Sequence, residues 1–148
     1  NGVKTVWCAQ HDPVSYAPQG ARAYELPSKS GKESVLVVAF LMTRPQTTEV
    51  KAAVQAAIAW YKSSAVQLKD TYYSKTEASA FRNPFIAQTG TTTWYRFYDL
   101  DQDKGFFSDR TAVKFYDIMQ IEQERLAGYE WGGSYGTKLF TYSNSVGY

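Results

Sequence analysis

The stretch around which the rest of the chain is organised runs from residue 94 to residue 133 and reads WYRFYDLDQDKGFFSDRTAVKFYDIMQIEQERLAGYEWGG. Aromatic residues surround Arg96, two phenylalanines precede Arg110, and Tyr129 and Trp131 lie near its glycine-rich end. Apolar rings beside guanidinium groups suit a ligand with flat ring faces and anionic groups. An acidic sugar fits that description, and a buried structural network of arginines has the same composition.

Composition places the chain among globular proteins. Of its 148 residues, 20% are charged and 44% are hydrophobic, so we expect a single domain over residues 1–148. The net charge of +2 is too small to argue for a nucleic acid or a membrane surface as a partner. Aromatic residues reach 16%, a level found in proteins that stack on sugars and also in tightly packed small domains.

Two weak metal motifs occur in the sequence. Cys8 and His11 are the single cysteine and the single histidine, so the chain has too few ligands of these types for a zinc site. Asp99, Asp101 and Asp103 have the spacing that begins an EF-hand loop, but a lysine stands where that loop requires glycine. We therefore interpret this segment as an acidic, solvated turn.

Periodicity predicts one helix clearly. Thr47 has the character of an N-cap, and apolar residues recur from Val50 at helical spacing, which predicts an amphipathic helix to about Ser64. The earlier segment Val35–Met42 is continuously apolar. Periodicity alone does not distinguish a buried strand from a buried helix at that segment.

The remainder of the chain gives weaker signals. Residues 66–90 are polar and mixed, and residues 92–98 predict a short strand that continues through a hairpin-like connection. Asp117 and a glutamine three residues later predict a capping box for a last helix, which Gly128 would terminate. The tail after Gly133 is polar and aromatic, and we expect it to be loose.

Long motifs in the chain resemble polysaccharide lyase family 10, the pectate lyases. They are W-x-R-F-Y-D-L from Trp94, F-F-S-D-R from Phe106 and Y-D-I-x-x-I-E-x-E-R-x-x-G-Y-x-W from Tyr116. Upstream, TVWCAQHDP from Thr5 and GARAYELPS from Gly20 match in order and spacing. The resemblance covers nearly the whole chain, but only about the C-terminal half of the family's catalytic module.

The resemblance implies a fold and an activity. The implied fold is mainly α, part of an (α/α) toroid-like module with long loops and a short β-hairpin, with a helix that begins near residues 31–33. The implied activity is that of a pectate lyase, which cleaves polygalacturonate by calcium-assisted anti-β-elimination. We accordingly expect a secreted enzyme that degrades plant cell-wall polysaccharide and binds pectate.

The resemblance also implies roles for two arginines. Arg22 falls at the arginine that takes the C5 proton, and Arg110 at the arginine that holds the substrate carboxylate. Because the pKa of arginine lies above about 12, the neutral base is scarce at neutral pH, so alkaline conditions should favour the reaction. From the residues alone, the favoured interpretation of each arginine is the partner of a nearby carboxylate, Glu25 or Asp109.

Four more residues complete the predicted substrate-binding set: Arg96, Trp94, Trp131 and Tyr129. The alternative for Arg96 is a scaffold role around the cleft, and the alternative for the three rings is a place in the core. The Ca²⁺ ion is implied by the resemblance, whose calcium-binding aspartates lie in the half of the module that has no counterpart here. Its ligands are therefore unknown in this chain.

The missing half leaves two functions open. One is the lyase itself, and the alternative is a non-catalytic pectate-binding domain derived from it. A half-module should expose an apolar helix face, such as that of residues 50–61. Three outcomes follow: a complementing chain covers it, the chain self-associates, or a reduced fold stands alone.

Overall fold

A computed structural model describes residues 4–148 of the chain. Its first two helices are α1 at Glu33–Met42 and α2 at Thr48–Lys62. The backbone N–H of Val50 donates a hydrogen bond of 3.2 Å to the hydroxyl oxygen of Thr47, the contact expected of an N-cap. The helical interpretation of the first apolar segment is confirmed, and α2 ends close to its predicted end.

The strands form three antiparallel sheets. They are β1 (Gln10–His11) with β2 (Pro18–Gln19); then β3 (Lys29–Ser30), β6 (Phe97–Tyr98), β7 (Gly105–Ser108) and β8 (Lys114–Phe115); and finally β4 (Leu68–Tyr73), β5 (Phe85–Tyr95) and β9 (Gly132–Gly133). The longest strand, β5, lies between β4 and β9. The predicted hairpin is confirmed, because Phe97 pairs with Phe106 and Tyr98 pairs with Gly105.

Three further helices follow later in the chain: α3 at Lys75–Ser79, α4 at Gln123–Gly128 and α5 at Tyr135–Ser145. The Asp117 side chain caps a short 3-10 turn at Ile118–Gln120 and not α4 itself. Gly128 is the last residue of α4 and does not follow it. The predicted capping box was therefore assigned to the wrong turn.

The tail that was expected to be loose is mostly the helix α5. Its formation depends on tertiary packing, since Leu139 is buried in the same hydrophobic cluster as Val38 of α1. Gly136 allows the Trp94 ring to lie directly against the helix, because a Cβ atom at this position would lie 2.5 Å from Trp94 Cζ2. Packing against existing elements thus orders a segment whose own composition is weakly helical.

The expected fold class was wrong. Helices account for 34% and strands for 23% of the structure, so the fold is mixed, and it is neither mainly α nor toroidal. The strand content was missed largely because most of β5 is exposed, and it has no apolar alternation until Trp94.

Two hydrophobic clusters hold these elements together. The first lies among α1, α2, β5 and α5, and includes Val54, Tyr61 and Trp94. The second lies beneath the hairpin and α4, and includes Phe106 and Trp131. Tyr129 packs against the second cluster, which therefore supports the end of the stretch singled out in the sequence.

The apolar face of residues 50–61 is not exposed, contrary to expectation, because Val54, Ala57 and Tyr61 are fully buried in the chain's own core. The exposed apolar helix face belongs to α1 instead, where Leu36 is 74% and Phe40 is 58% accessible. Among residues 4–148, no helix has the length and apolar character needed to cross a membrane.

Candidate functional site

A tight turn brings Arg22 and Glu25 together. The backbone N–H of Glu25 donates to the Arg22 carbonyl oxygen, and the Arg22 guanidinium donates from Nε to Glu25 Oε2 at 2.8 Å and from Nη2 to Oε1 at 2.6 Å. The hydrogen bonds from Arg22 lower the pKa of Glu25 to about 2, and the same contacts raise the pKa of Arg22. Arg22 is therefore held in its charged form, as the structural alternative for this residue predicted.

Tyr24 and Tyr129 surround this ion pair. The Tyr129 hydroxyl donates to Glu25 Oε1 at 2.7 Å. The Arg22 guanidinium carbon lies 4.9 Å from the centre of the Tyr24 ring, and the two tyrosine rings meet edge to face at 5.1 Å. Aromatic faces and a carboxylate thus fix the position of Arg22 from the protein side.

Arg96 approaches Tyr129 from the hairpin. Its guanidinium carbon lies 4.4 Å from the centre of the Tyr129 ring, and its Nη2 donates to Glu33 Oε1 at 2.6 Å. The Arg96 side chain is only 13% exposed, yet within residues 4–148 its buried Nε has no hydrogen-bond partner. A buried guanidinium with an unused donor is unusual in a folded protein.

Arg110 and Arg125 share one carboxylate, that of Glu124. Arg110 donates to it from Nε at 3.2 Å and from Nη2 at 3.3 Å. Arg125 is buried and binds Glu124 with both arms of its own fork, while its guanidinium carbon lies 4.5 Å from the centre of the Tyr24 ring. Arg110 itself is exposed, and its contacts to Glu124 are long for a charged pair.

The predicted alternative partner of Arg110 was wrong. The Asp109 carboxylate instead accepts hydrogen bonds from the Thr111 side chain at 2.5 Å and from the Glu122 backbone N–H at 3.1 Å. Asp109 therefore stabilises the turn that leads to α4 and leaves Arg110 to Glu124. Glu124 thus pairs with both Arg110 and Arg125.

We refer to this assembly as the arginine cluster. Its members are Arg22, Tyr24, Glu25, Glu33, Arg96, Arg110, Glu124, Arg125 and Tyr129. Four guanidinium groups meet three carboxylates, so the cluster carries excess positive charge beside two tyrosine rings. Such a surface can orient a carboxylate and support a sugar ring.

The two tryptophans predicted to bind substrate lie inside the protein. Trp94 is 1% exposed, belongs to the first hydrophobic cluster, and donates from Nε1 to the Tyr61 carbonyl oxygen at 3.1 Å. Trp131 is 0% exposed and donates from Nε1 to the Arg125 carbonyl oxygen at 2.9 Å. Neither ring offers a face to a ligand in this structure, because the core covers both.

Several members of the cluster were not singled out as site residues from the sequence. Tyr24 and Glu33 are the clearest cases. Tyr24 follows Arg22 by two residues in a quoted motif, and that proximity was the available signal. Glu33 lies far from Arg96 in the chain, and the pairing of β3 with β6 is what brings them together.

The described residues do not form a calcium site. Among residues 4–148, no group of three or more His, Cys, Asp or Glu side chains is arranged to hold a metal ion. Asp12 caps its own turn, Asp99 binds Lys114, and Asp103 binds Lys29. Asp99 and Asp103 are therefore paired with lysines, while Asp101 between them is exposed, as expected of a solvated turn.

The quoted motifs belong to a known protein family. Residues 1–140 match the family described as Pectic acid lyase, and the chain belongs to this family. No curated protein sequence gave a significant match.

Two solved structures from Cellvibrio cellulosa resemble this one. A point mutant of a family 10 polysaccharide lyase, in complex with trigalacturonic acid, is 53% identical with a TM-score of 0.95 over 100% of this chain. The family 10 polysaccharide lyase itself is 52% identical with a TM-score of 0.95 over 99% of this chain. The chain spans 46% and 45% of these relatives, which is less than half of their length.

Proposed function

We propose that this chain forms the arginine-bearing part of a pectate lyase, which cleaves polygalacturonate by anti-β-elimination. The observation that carries the proposal is the arginine cluster, and within it the buried Arg96 whose Nε has no acceptor in the described residues. A uronate carboxylate supplies an acceptor of the right charge. The trigalacturonic acid complex of a 53% identical lyase supports the same class of ligand.

Arg110 is the proposed carboxylate clamp. Its fork is exposed and its two contacts to Glu124 are 3.2 and 3.3 Å long, so a substrate carboxylate can replace them with shorter ones. Glu124 retains Arg125 as a partner when Arg110 moves to the substrate. The exchange therefore leaves no carboxylate of the cluster without a cation.

Arg22 is the proposed base. In its neutral form it would take the C5 proton of the galacturonate, the C4–C5 double bond would form, and the C4–O bond would break. The leaving oxygen would then be protonated by water. Since the pair with Glu25 holds Arg22 in its charged form, we expect this reaction to be favoured by alkaline pH.

Calcium dependence is implied by the resemblance, but the described residues do not fit the ion. The carboxylates of the cluster are each paired with an arginine, and residues 4–148 hold no group of ligands that would bind Ca²⁺. The calcium ligands of the proposed enzyme therefore have to come from outside this part of the protein.

We propose that the missing ligands come with a complementing segment. The relatives are more than twice as long as this chain, and α1 exposes Leu36 and Phe40 on a helix that is apolar on every side. The covering segment is then the remainder of a lyase module. Because a pectate polymer is too large to enter a cell, the proposed site of action is extracellular.

The test is the ultraviolet absorbance of the unsaturated product during incubation with polygalacturonate at alkaline pH, with calcium and with a chelator. We expect absorbance to rise for the wild-type chain bound to its complement and not for Arg22→Ala. Arg82→Ala is the matched control, because Arg82 forms a similar exposed fork with Glu77 outside the cluster. Equal product from Arg22→Ala and wild type would contradict the assignment of the base.

A non-catalytic pectate-binding domain is the second candidate. The observation that favours it is the Arg22–Glu25 ion pair, which opposes the deprotonation that a base requires. This candidate predicts that pectate in a native gel retards the migration of the protein, while no unsaturated product forms.

A further inference from the structure

A long groove lies beside the arginine cluster. Its volume is about 870 Å³, within the range of roughly 300–1,000 Å³ that is typical of ligand pockets. Thr91 and Thr92 of β5, both half-buried, lie along it, and residues at the start of α3 and at the start of α5 line its sides. Among the described residues, none that lines this groove is a member of the arginine cluster.

The groove is lined by hydroxyl groups and lysines. Lys32, Lys75 and Lys138 contribute positive charge, and Glu130 is the one acidic residue among the described lining. Glu130 is already paired with Lys32 and Lys75. Within residues 4–148, Lys138 has no salt-bridge partner, so the groove carries net positive charge.

Tyr135 supplies a second indication of a ligand. It lines the groove, and within residues 4–148 its buried hydroxyl has no hydrogen-bond partner. A buried hydroxyl without a partner costs free energy that a bound polar molecule would recover. Sugar hydroxyls and carboxylates are suitable partners, since a phenol both donates and accepts.

A smaller pocket shares lining residues with the groove and with the cluster. It has a volume of about 240 Å³ and is lined by Lys75 and Glu130 of the groove and by Tyr129 of the cluster. Tyr129 therefore lies where the cluster and this smaller pocket meet.

We propose that this groove binds a second segment of the acidic polysaccharide, beyond the sugar that the arginine cluster holds. The identity of the sugar rests on the proposed function, whereas the groove's charge and hydroxyl lining do not. Occupation of both sites makes affinity depend on the length of the oligosaccharide, because a trimer held at the arginines gains little from the groove.

The experiment compares binding of trigalacturonate and hexagalacturonate by calorimetry. We expect the wild type to bind the hexamer more tightly than the trimer, and Lys138→Ala to lose about three- to tenfold in hexamer affinity with trimer affinity unchanged. Lys51→Ala is the matched control, because Lys51 is an exposed helical lysine outside the groove. Tyr135→Phe should weaken hexamer binding without lowering the thermal stability, since it removes an unpaired buried hydroxyl.

The outcomes separate the groove from the cluster. Two results would contradict binding in the groove and leave the arginine site intact. One is equal affinity of the wild type for both oligosaccharides, and the other is unchanged affinity for both in Lys138→Ala. Loss of the hexamer advantage in Lys138→Ala together with unchanged trimer binding in Arg110→Ala would support the groove and contradict the proposed clamp. Absence of binding at either length overturns both.

Discussion

Arg22 and Glu25 form an ion pair in which both arms of the guanidinium reach one carboxylate, at 2.8 and 2.6 Å. Glu25 is buried and also accepts from the Tyr129 hydroxyl, whereas Arg22 is largely exposed. The buried carboxylate thus positions an exposed cation at the edge of the cluster. The same contact keeps Arg22 protonated. A protonated Arg22 can bind a carboxylate, whereas a base that takes a proton has to be neutral.

Glu25→Gln should reduce the acid sensitivity of the protein. The pKa of Glu25 falls from its ordinary value of 4.5 to about 2 on folding, chiefly through the hydrogen bonds from Arg22. A carboxyl group with a lowered folded pKa stabilises the protein above its unfolded pKa, and that contribution is lost as the pH falls from about 4.5 towards 2. Between neutral and acid pH, the free energy of unfolding of the variant should therefore fall by about 1–2 kcal/mol less than that of the wild type. This figure allows for solvent screening of the exposed Arg22.

The measurement is the free energy of unfolding by urea at several pH values between neutrality and acid. Glu77→Gln is the control, because Glu77 forms an exposed pair with Arg82. An identical pH dependence in Glu25→Gln and wild type would show that the ion pair contributes nothing to stability.

Glu124→Gln should strengthen the binding of an acidic oligosaccharide. The Glu124 carboxylate competes with a ligand carboxylate for Arg110, and its removal also raises the positive charge of the cluster. We expect trigalacturonate affinity to rise by about two- to fivefold, since a single exposed charge contact contributes up to about 1 kcal/mol. Calorimetry measures the trigalacturonate affinity of both proteins. Weaker binding by the variant would contradict the prediction and would mean that Glu124 positions Arg110 for the ligand.

Gly136→Ala should destabilise the fold although alanine favours helices. The added methyl group would lie 2.5 Å from Trp94 Cζ2, inside the first hydrophobic cluster. Overpacking costs about 1–3 kcal/mol, which exceeds the gain of about 1 kcal/mol from helix propensity. Thermal unfolding measures the stability of Gly136→Ala, and Asn144→Ala at an exposed position of the same helix is the control. If Gly136→Ala is as stable as wild type, the Trp94 ring can move away from the added methyl group.

The double variant Leu36→Ser and Phe40→Ser should abolish binding of a complementing segment. The segment to use is the part of the Cellvibrio cellulosa lyase that lies outside the region matched by this chain. We expect the wild type to form a one-to-one complex by analytical ultracentrifugation, because exposed apolar residues on α1 need a cover. Val146→Ser changes another exposed apolar residue as control. A complex retained by the double variant, or wild-type self-association in place of the complex, would contradict this surface.

The sequence predicted local features better than architecture. Thr47 caps α2 as its type and position require, and the turn after Tyr98 closes the predicted hairpin. The helix α5 was missed because its formation depends on Leu139 packing against distant elements and not on its own composition. The toroid expectation failed because it came from the resemblance and not from the pattern of residues 66–95, which are mostly strand.

The candidate site shows the same division. Arg22 and Glu25 lie three residues apart, so their pairing was open to prediction from the sequence. Arg96 meets Glu33 through pairing between distant strands, and that contact has no local signal. Trp94 and Trp131 belong to motifs of the family, but a motif alone does not distinguish a residue that contacts ligand from one that packs behind it.

The central claim is that the arginine cluster binds an acidic sugar through Arg110. Calorimetric titration of trigalacturonate into wild type, Arg110→Ala and Arg82→Ala tests it most directly. The account predicts that Arg110→Ala loses about tenfold or more in affinity, in line with the loss of a charged two-pronged contact, while Arg82→Ala binds like wild type. Equal affinities for all three proteins would contradict it.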